Sequence, residues 1–185
     1  MAEAGFAELV SVACHDLRTP LATVSGFAKT MARSGELSER DAGFVALIDE
    51  AAAQMSALVA DLGLAARIAG GRYEPYLVKA DTLELASSSD ERIRAEGSGA
   101  TVETDAATSA HALEALAHAA LRFGGAGSVT WAVNGRELSL SPVAGAEAAL
   151  GGASAADLGA LVARAALAAL GAEVALEDGS LRVRL

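Results

Sequence analysis

The sequence predicts an α+β protein: a helical hairpin that dimerises into a four-helix bundle, followed by an α/β sandwich. Three observations predict it. Apolar residues recur at alternating steps of three and four through the first third of the chain. Gly70-Gly71 ends that periodicity. Beyond it, short alternating runs with Asn-Gly and Asp-Gly turns mix with alanine-rich helical stretches. The boundary falls at residues 70–76, which divides the chain into units 1–72 and 73–185, and no internal repeat is present.

The first helix is predicted from about Phe6 to Arg33. Its apolar seam is Phe6, Val10, Ala13, Leu17, Leu21, Val24, Ala28 and Met31. Pro20 removes the N–H that would pair with the Asp16 carbonyl, so a bend is expected there. The Ser34–Ser38 stretch breaks the helix. Ser38, with Asp41 three residues on, is a helix-start signal. The second helix runs from about Glu39 to Ala69, with a heptad seam of Phe44, Ile48, Ala51, Met55, Leu58, Leu62 and Ala65. Apolar residues beside the seams, such as Leu9, Leu47 and Val59, would stay wet in a lone hairpin. Pairing two hairpins buries them.

In the second unit, Tyr76–Val78 reads as a short strand, Asp81 to about Ala95 as helix, and Ala100–Thr104 as strand. An alanine-rich helix covers about Ser109 to Phe123 and stops at Gly124-Gly125. Val129–Val133 and Glu137–Ser141 form a hairpin around Asn134-Gly135. Residues 143–156 read as loop, and Asp157 to about Leu170 as a helix closed by Gly171. Glu173–Leu176 and Leu181–Leu185 form a second hairpin around Asp178-Gly179.

Composition narrows the function. Of 185 residues, 52% are hydrophobic but only 4% aromatic, so the core is aliphatic and alanine-rich. The net charge of −10, with Lys29 and Lys79 the only lysines, repels phosphate backbones and argues against nucleic-acid binding. The lone Cys14 allows no internal disulfide and no Cys-x-x-Cys metal site, which suits a cytoplasmic protein. The N-terminus lacks a basic, apolar leader, and no uncharged apolar run approaches the roughly 20 residues of a membrane span.

The chemistry is concentrated in Ala13-Cys14-His15-Asp16-Leu17-Arg18-Thr19-Pro20-Leu21. His15 lies between the seam positions Ala13 and Leu17 and so points to solvent. A neutral imidazole there can attack an incoming phosphorus, and an unperturbed histidine with a pKa of about 6.5 is mostly neutral near pH 7. Asp16 is the local carboxylate able to take the ring hydrogen, although adjacent helical residues do not face each other and it must reach round. Thr19, four residues on, shares the face of His15, and its hydroxyl can orient a water or a phosphoryl oxygen. Cys14 reads as packing filler. His111 and His118 read as ordinary helix residues.

The segment His15-Asp16-Leu17-Arg18-Thr19-Pro20-Leu21 resembles the H-box of bacterial sensor histidine kinases, and Ile48-Asp49-Glu50 with Leu58–Leu62 is similar to the family's second helix. The resemblance spans residues 5–72. It implies that His15 is the phospho-acceptor, that Asp16 is its acid/base partner, and that Thr19 helps dephosphorylate a response regulator. It also implies that the second unit is a kinase-like (Bergerat-type) sandwich.

There the family's nucleotide chemistry is degenerate. Ala112–Phe123 resembles the helix whose asparagine holds Mg²⁺, but Ala119 stands at that position, and the only asparagine, Asn134, sits in a turn. The family's Asp-x-Gly-x-Gly box should follow Ser141, but Pro142–Glu147 contains no aspartate. The later glycine loop is reduced to Asp157-Leu158-Gly159, whose carboxylate would repel a nucleotide.

The expected function is therefore that of a histidine phosphotransferase, relaying phosphoryl groups between His15 and receiver-domain aspartates without ATP. It needs no intrinsic cofactor or metal, and Mg²⁺ comes from the receiver of the response regulator. The expected partners are that receiver and a second copy of the chain. A kinase with an atypical ATP site, a non-catalytic pseudokinase scaffold, and a regulator phosphatase working through Thr19 are the competing readings.

Overall fold

A computed structural model describes residues 2–35, 37–151, 157–177 and 179–185. The chain divides into two compact units, Met1–Arg72 and Tyr73–Leu185.

The first unit is an antiparallel hairpin of α1 (Ala2–Ser34) and α2 (Glu39–Ala69). Helix α1 continues through Pro20 without interruption. Ser38 caps α2: its Oγ accepts from Asp41 N at 3.2 Å and donates to the Asp41 carboxylate at 2.7 Å. The Asp41 carboxylate bonds the Ser38 hydroxyl and not the Ser38 backbone N–H, so the cap is one-sided and not a capping box. Glu36, within the predicted break, lies outside the described residues. Gly71, at φ +64°, lets the chain turn out of α2.

Apart from Ala28, buried as expected, and half-buried Leu21, the predicted seams are displaced by one residue. Within the hairpin the buried positions are Ala7, Cys14 and Ala28 on α1 and Val45, Ala52, Val59, Leu64 and Ala66 on α2. Phe6, Leu17, Val24, Met31, Phe44, Ile48, Met55, Leu58 and Leu62, assigned to the seam from spacing, are exposed. Both stripes obey heptad spacing. Residue size separates them: alanine, cysteine and valine allow the two helices to close on each other, and the larger side chains are turned outward. Val59, expected at the flank, is a hairpin contact.

Helix α2 is long and apolar enough to cross a membrane by length and composition. The sequence expectation concerned uncharged runs, and Asp49, Glu50, Asp61 and Arg67 interrupt any such run in α2. The same apolarity is accounted for by two helical faces, one closed against α1 and one bearing the outward stripe.

The second unit has a five-stranded sheet in the order β2-β4-β5-β7-β6 and a separate antiparallel pair, β1 (Val78–Asp81) with β3 (Thr101–Thr104). In the larger sheet, β2 (Ile93–Gly99) runs parallel to β4 (Val129–Gly135). β5 (Glu137–Ser141), β6 (Glu173–Glu177) and β7 (Ser180–Arg184) complete it antiparallel. Val129, Trp131, Val133, Leu138, Leu140, Leu181 and Val183 alternate into one core with α4 (Ala106–Gly124) and α6 (Leu158–Ala169). Both predicted hairpins form; Asp178 of the second turn lies outside the described residues.

Three predicted elements change. The helix expected over Asp81–Ala95 is only α3 (Thr82–Ala86), after which the chain enters β2. Serines end it: Ser87 Oγ donates to Leu83 O at 2.9 Å, and Ser88 Oγ accepts from Asp90 N at 3.1 Å, replacing helical bonding with turns. The strand expected at Tyr76–Val78 begins at Val78, because Tyr76 N is held instead by Asp105 Oδ2 at 3.3 Å. The loop expected over 143–156 contains α5 (Glu147–Leu150), with Val143, Ala146 and Leu150 fully buried. Residues 152–156 lie outside the described residues.

Candidate functional site

Helix α1 carries His15, Asp16 and Thr19, all three exposed. Cys14 faces the opposite way, 3% exposed inside the hairpin, and its burial fixes the rotation of this turn. With Cys14 inward, the next residue must face out, so packing of the small cysteine is what presents the imidazole. None of the three side chains is held by a hydrogen bond among the described residues. The Thr19 backbone carbonyl accepts from Thr23 Oγ1 at 3.0 Å. The structure thus places His15 and Thr19 on one exposed face. Asp16 neighbours the ring in sequence but is not bonded to it.

On the opposing helix, Gly63 is buried against this turn. A Cβ there would stand 3.5 Å from Arg18 Nη2, 3.7 Å from Arg67 Nη1 and 3.8 Å from Cys14 Cβ. Reading the motif by itself singled out neither Gly63 nor Arg67. The heptad phase of α2, had it been set by the small residues, would have pointed Gly63 at α1.

The second unit has a different character. Ala119 on α4 is 1% exposed and belongs to the aliphatic core. After β5, the chain folds Val143, Ala146 and Leu150 into that same core, and α5 packs against α4 and α6. The loop also lies against the end of α4: a Cβ at Gly124 would stand 3.2 Å from Ala144 O. Asp157 caps α6, its Oδ1 accepting from Ala160 N at 2.9 Å, and its Oδ2 pairs with Arg122 Nη1 at 2.6 Å. The helix N-terminus that could receive a phosphate is thereby occupied by the protein's own carboxylate.

Residues 7–71 match the model of the His Kinase A (phospho-acceptor) domain. The first unit thus matches a histidine phospho-acceptor domain over almost its whole length. The whole chain is similar in fold to full-length ShkA, solved in complex with AMPPNP, with a TM-score of 0.64 at 22% identity over 96% of this chain and 44% of that one. It is also similar to the histidine kinase AdeS of Acinetobacter baumannii, with a TM-score of 0.53 at 17% identity over 92% of this chain and 96% of that one. The chain therefore spans less than half the length of ShkA. No curated protein sequence matches it.

Two features of the second unit's described residues bear on metal and nucleotide binding. Alanine at position 119 offers no metal ligand. Aliphatic side chains of Val143, Ala146 and Leu150 fill the space below the β5–α5 loop. Two open cavities, of about 430 and 450 Å³, lie elsewhere. One is on the hairpin around Ala28, Val45 and Asp49, the other on the outer sheet face around Glu96 and Asn134.

Proposed function

We propose that this protein is a histidine phosphotransferase of two-component signalling, in which His15 exchanges a phosphoryl group with response-regulator aspartates and ATP is not the donor. The observation that carries this reading is an exposed His15 in a matched phospho-acceptor unit, and it is supported by the alanine and aliphatic side chains at the positions the family resemblance assigns to metal and nucleotide. In the forward step a ring nitrogen of His15 attacks the phosphorus of a receiver acyl phosphate. The N–P bond forms, the bond from phosphorus to the aspartate oxygen breaks, and the carboxylate leaves with its electron pair. Asp16 takes or shares the proton on the other ring nitrogen. The receiver contributes the Mg²⁺ that neutralises the transferring group.

A homodimer completes the bundle, because the outward stripe from Phe6 to Leu62 offers large apolar side chains suited to a second hairpin. The cytoplasm is the compartment we assign, on the strength of the lone, buried Cys14 thiol. Thr19, exposed beside His15, supports a second reading in which the protein places a water for regulator dephosphorylation.

The test uses a receiver carrying labelled phosphoryl. Label should move to the wild-type protein and fail to move to His15→Ala. Labelled ATP with Mg²⁺ should leave His15 unlabelled, and strong labelling from ATP sinks the ATP-independent reading. Faster loss of receiver label without accumulation on His15 favours the phosphatase.

A further inference from the structure

The chain passes from the hairpin to the second unit at Arg72–Tyr73. On the hairpin side the backbone is held up to its last residue. Gly71 N donates to Ile68 O at 3.0 Å, and Arg72 N donates to Arg67 O at 2.8 Å. With Gly71 at φ +64°, this is a Schellman motif, which satisfies two carbonyls of the final turn of α2. The Arg72 side chain folds back as well. Its Nε lies 3.3 Å from the point a Cβ on Gly70 would occupy, and its Nη2 donates to Ser11 Oγ of α1 at 3.3 Å.

On the other side the hold begins at the next residue. Tyr73 Oη donates to Asp105 Oδ2 at 3.1 Å, and Tyr76 N donates to the same oxygen at 3.3 Å. Asp105 is itself fixed in the second unit, because its Oδ1 accepts from Thr108 N at 3.0 Å and caps α4. Pro75 stands between the two tyrosines. Its ring sets φ at about −65° and keeps Glu74 in extended backbone. Residues 73–76 therefore form a stiff strap, tied at both ends to one carboxylate of the second unit. Boundaries between compact units ordinarily fall in pliable linkers with few contacts. Here no residue stands between the two holds.

We propose that Arg72–Tyr73 is a point pivot about which the second unit turns relative to the hairpin, and that Asp105 is the latch that keeps the pivot this short. Relative motion of units within one chain is the ordinary expectation. With both flanks tied and the peptide bond planar, that motion has the soft torsions at Arg72 and Tyr73 to use. Releasing Asp105 adds Glu74 to Leu77 to the link and widens the range of orientations. The inference is independent of any role for His15.

The test is NMR of the full, ¹⁵N-labelled chain in a dilute alignment medium, which reads the orientation of each N–H, together with ¹⁵N relaxation. The couplings of the hairpin and of the second unit should require two alignment tensors. Arg72 should fit the first, and Glu74 and Tyr76 the second. Order parameters at Glu74 and Tyr76 should be about 0.85, the value of rigid backbone. Asp105→Ala should lower them below about 0.6 and make the two tensors differ further, with α2 unchanged through Arg72. Tyr73→Phe, which keeps the ring and the cap of α4, should lower the value at Glu74 in part. A single tensor for the wild-type chain overturns the pivot. Wild-type order parameters below about 0.6 at Glu74 and Tyr76 overturn the strap, even if Asp105→Ala fails to fold. Unchanged order at Glu74 in a folded Tyr73→Phe overturns the latch.

Discussion

Arg122 Nη1 stands 2.6 Å from Asp157 Oδ2, and this pair seals the first turn of α6. Asp157 is 6% exposed, while the Arg122 side chain remains largely in solvent. The carboxylate serves two partners at once, the backbone of Ala160 and the guanidinium from α4. Replacing Asp157 with Ala removes the cap and leaves the arginine unpaired. The expected loss is about 1–2 kcal/mol in urea unfolding of the second unit. Asp157→Asn keeps a capping oxygen and should lose less. Equal losses in the two variants would show that the ion pair, not the cap, matters.

Asp16 is exposed beside His15 and bonded to nothing described, so its contribution belongs to the reaction and not to folding. Asp16→Asn should slow phosphoryl exchange with a receiver by about 10²–10⁴-fold, the usual range for a general acid or base. Thermal unfolding should stay where it is. Rapid-quench measurement of labelled transfer decides the matter, and an unchanged rate removes Asp16 from the mechanism.

The outward stripe predicts the oligomeric state. Ile48 and Leu62, 48% and 38% exposed in one copy, sit on the face we assign to the partner hairpin. Burial of each such side chain stabilises by about 1.5–3 kcal/mol, and twofold symmetry counts each twice. The double change Ile48→Glu and Leu62→Glu should turn a dimer into a monomer by light scattering. A wild-type protein that is already monomeric would contradict the bundle.

Asp105 carries an acid-sensitive anchor. Its Oδ1 accepts from Thr108 N at 3.0 Å, and its Oδ2 from Tyr73 Oη at 3.1 Å and Tyr76 N at 3.3 Å. Partial burial pushes its pKa up, but hydrogen bonds from Thr108, Tyr76 and Tyr73 outweigh that and hold it below the ordinary 3.8. A depressed folded value means the carboxylate contributes stability that is fully present above pH 3.8 and lost as pH falls through the lowered value. Hydrogen exchange at Tyr76 N should therefore accelerate in acid, and Asp105→Asn should flatten that dependence. Asp90 is also held below the usual carboxylate range, by hydrogen bonds from Arg92. Its partner Arg92 is largely exposed, so added salt should weaken this pair, whereas the Asp105 anchor, held by uncharged donors, should respond less.

Much of the site was legible because local chemistry dictates it. His15, Asp16 and Thr19 follow from one contiguous motif on one helix, and helical geometry alone sets which of them share a face. The hairpin, the Asn134-Gly135 turn and the caps at Ser38 and Asp157 are likewise local. Gly63 was not legible, because its packing against Cys14 depends on the rotation of α2 against α1, which spacing by itself leaves open. The short helix α5 was also missed: its alanines carry no strong periodic signal, and only burial of Val143 and Leu150 in a distant core makes it order.

From the order of its residues alone, this chain has two long heptad helices, an exposed imidazole between apolar positions, and strands whose alternation has one buried face. Those are short-range consequences of periodicity and capping. Tertiary packing decided which heptad stripe closes the hairpin, because two stripes of equal spacing differ only in bulk, and close helix approach selects alanine, cysteine and glycine over phenylalanine and leucine. It also decided that the loop after β5 folds inward and that an aspartate covers the start of α6, since burying aliphatic side chains and capping open N–H groups are gains realised only once α4, α5 and α6 are in contact.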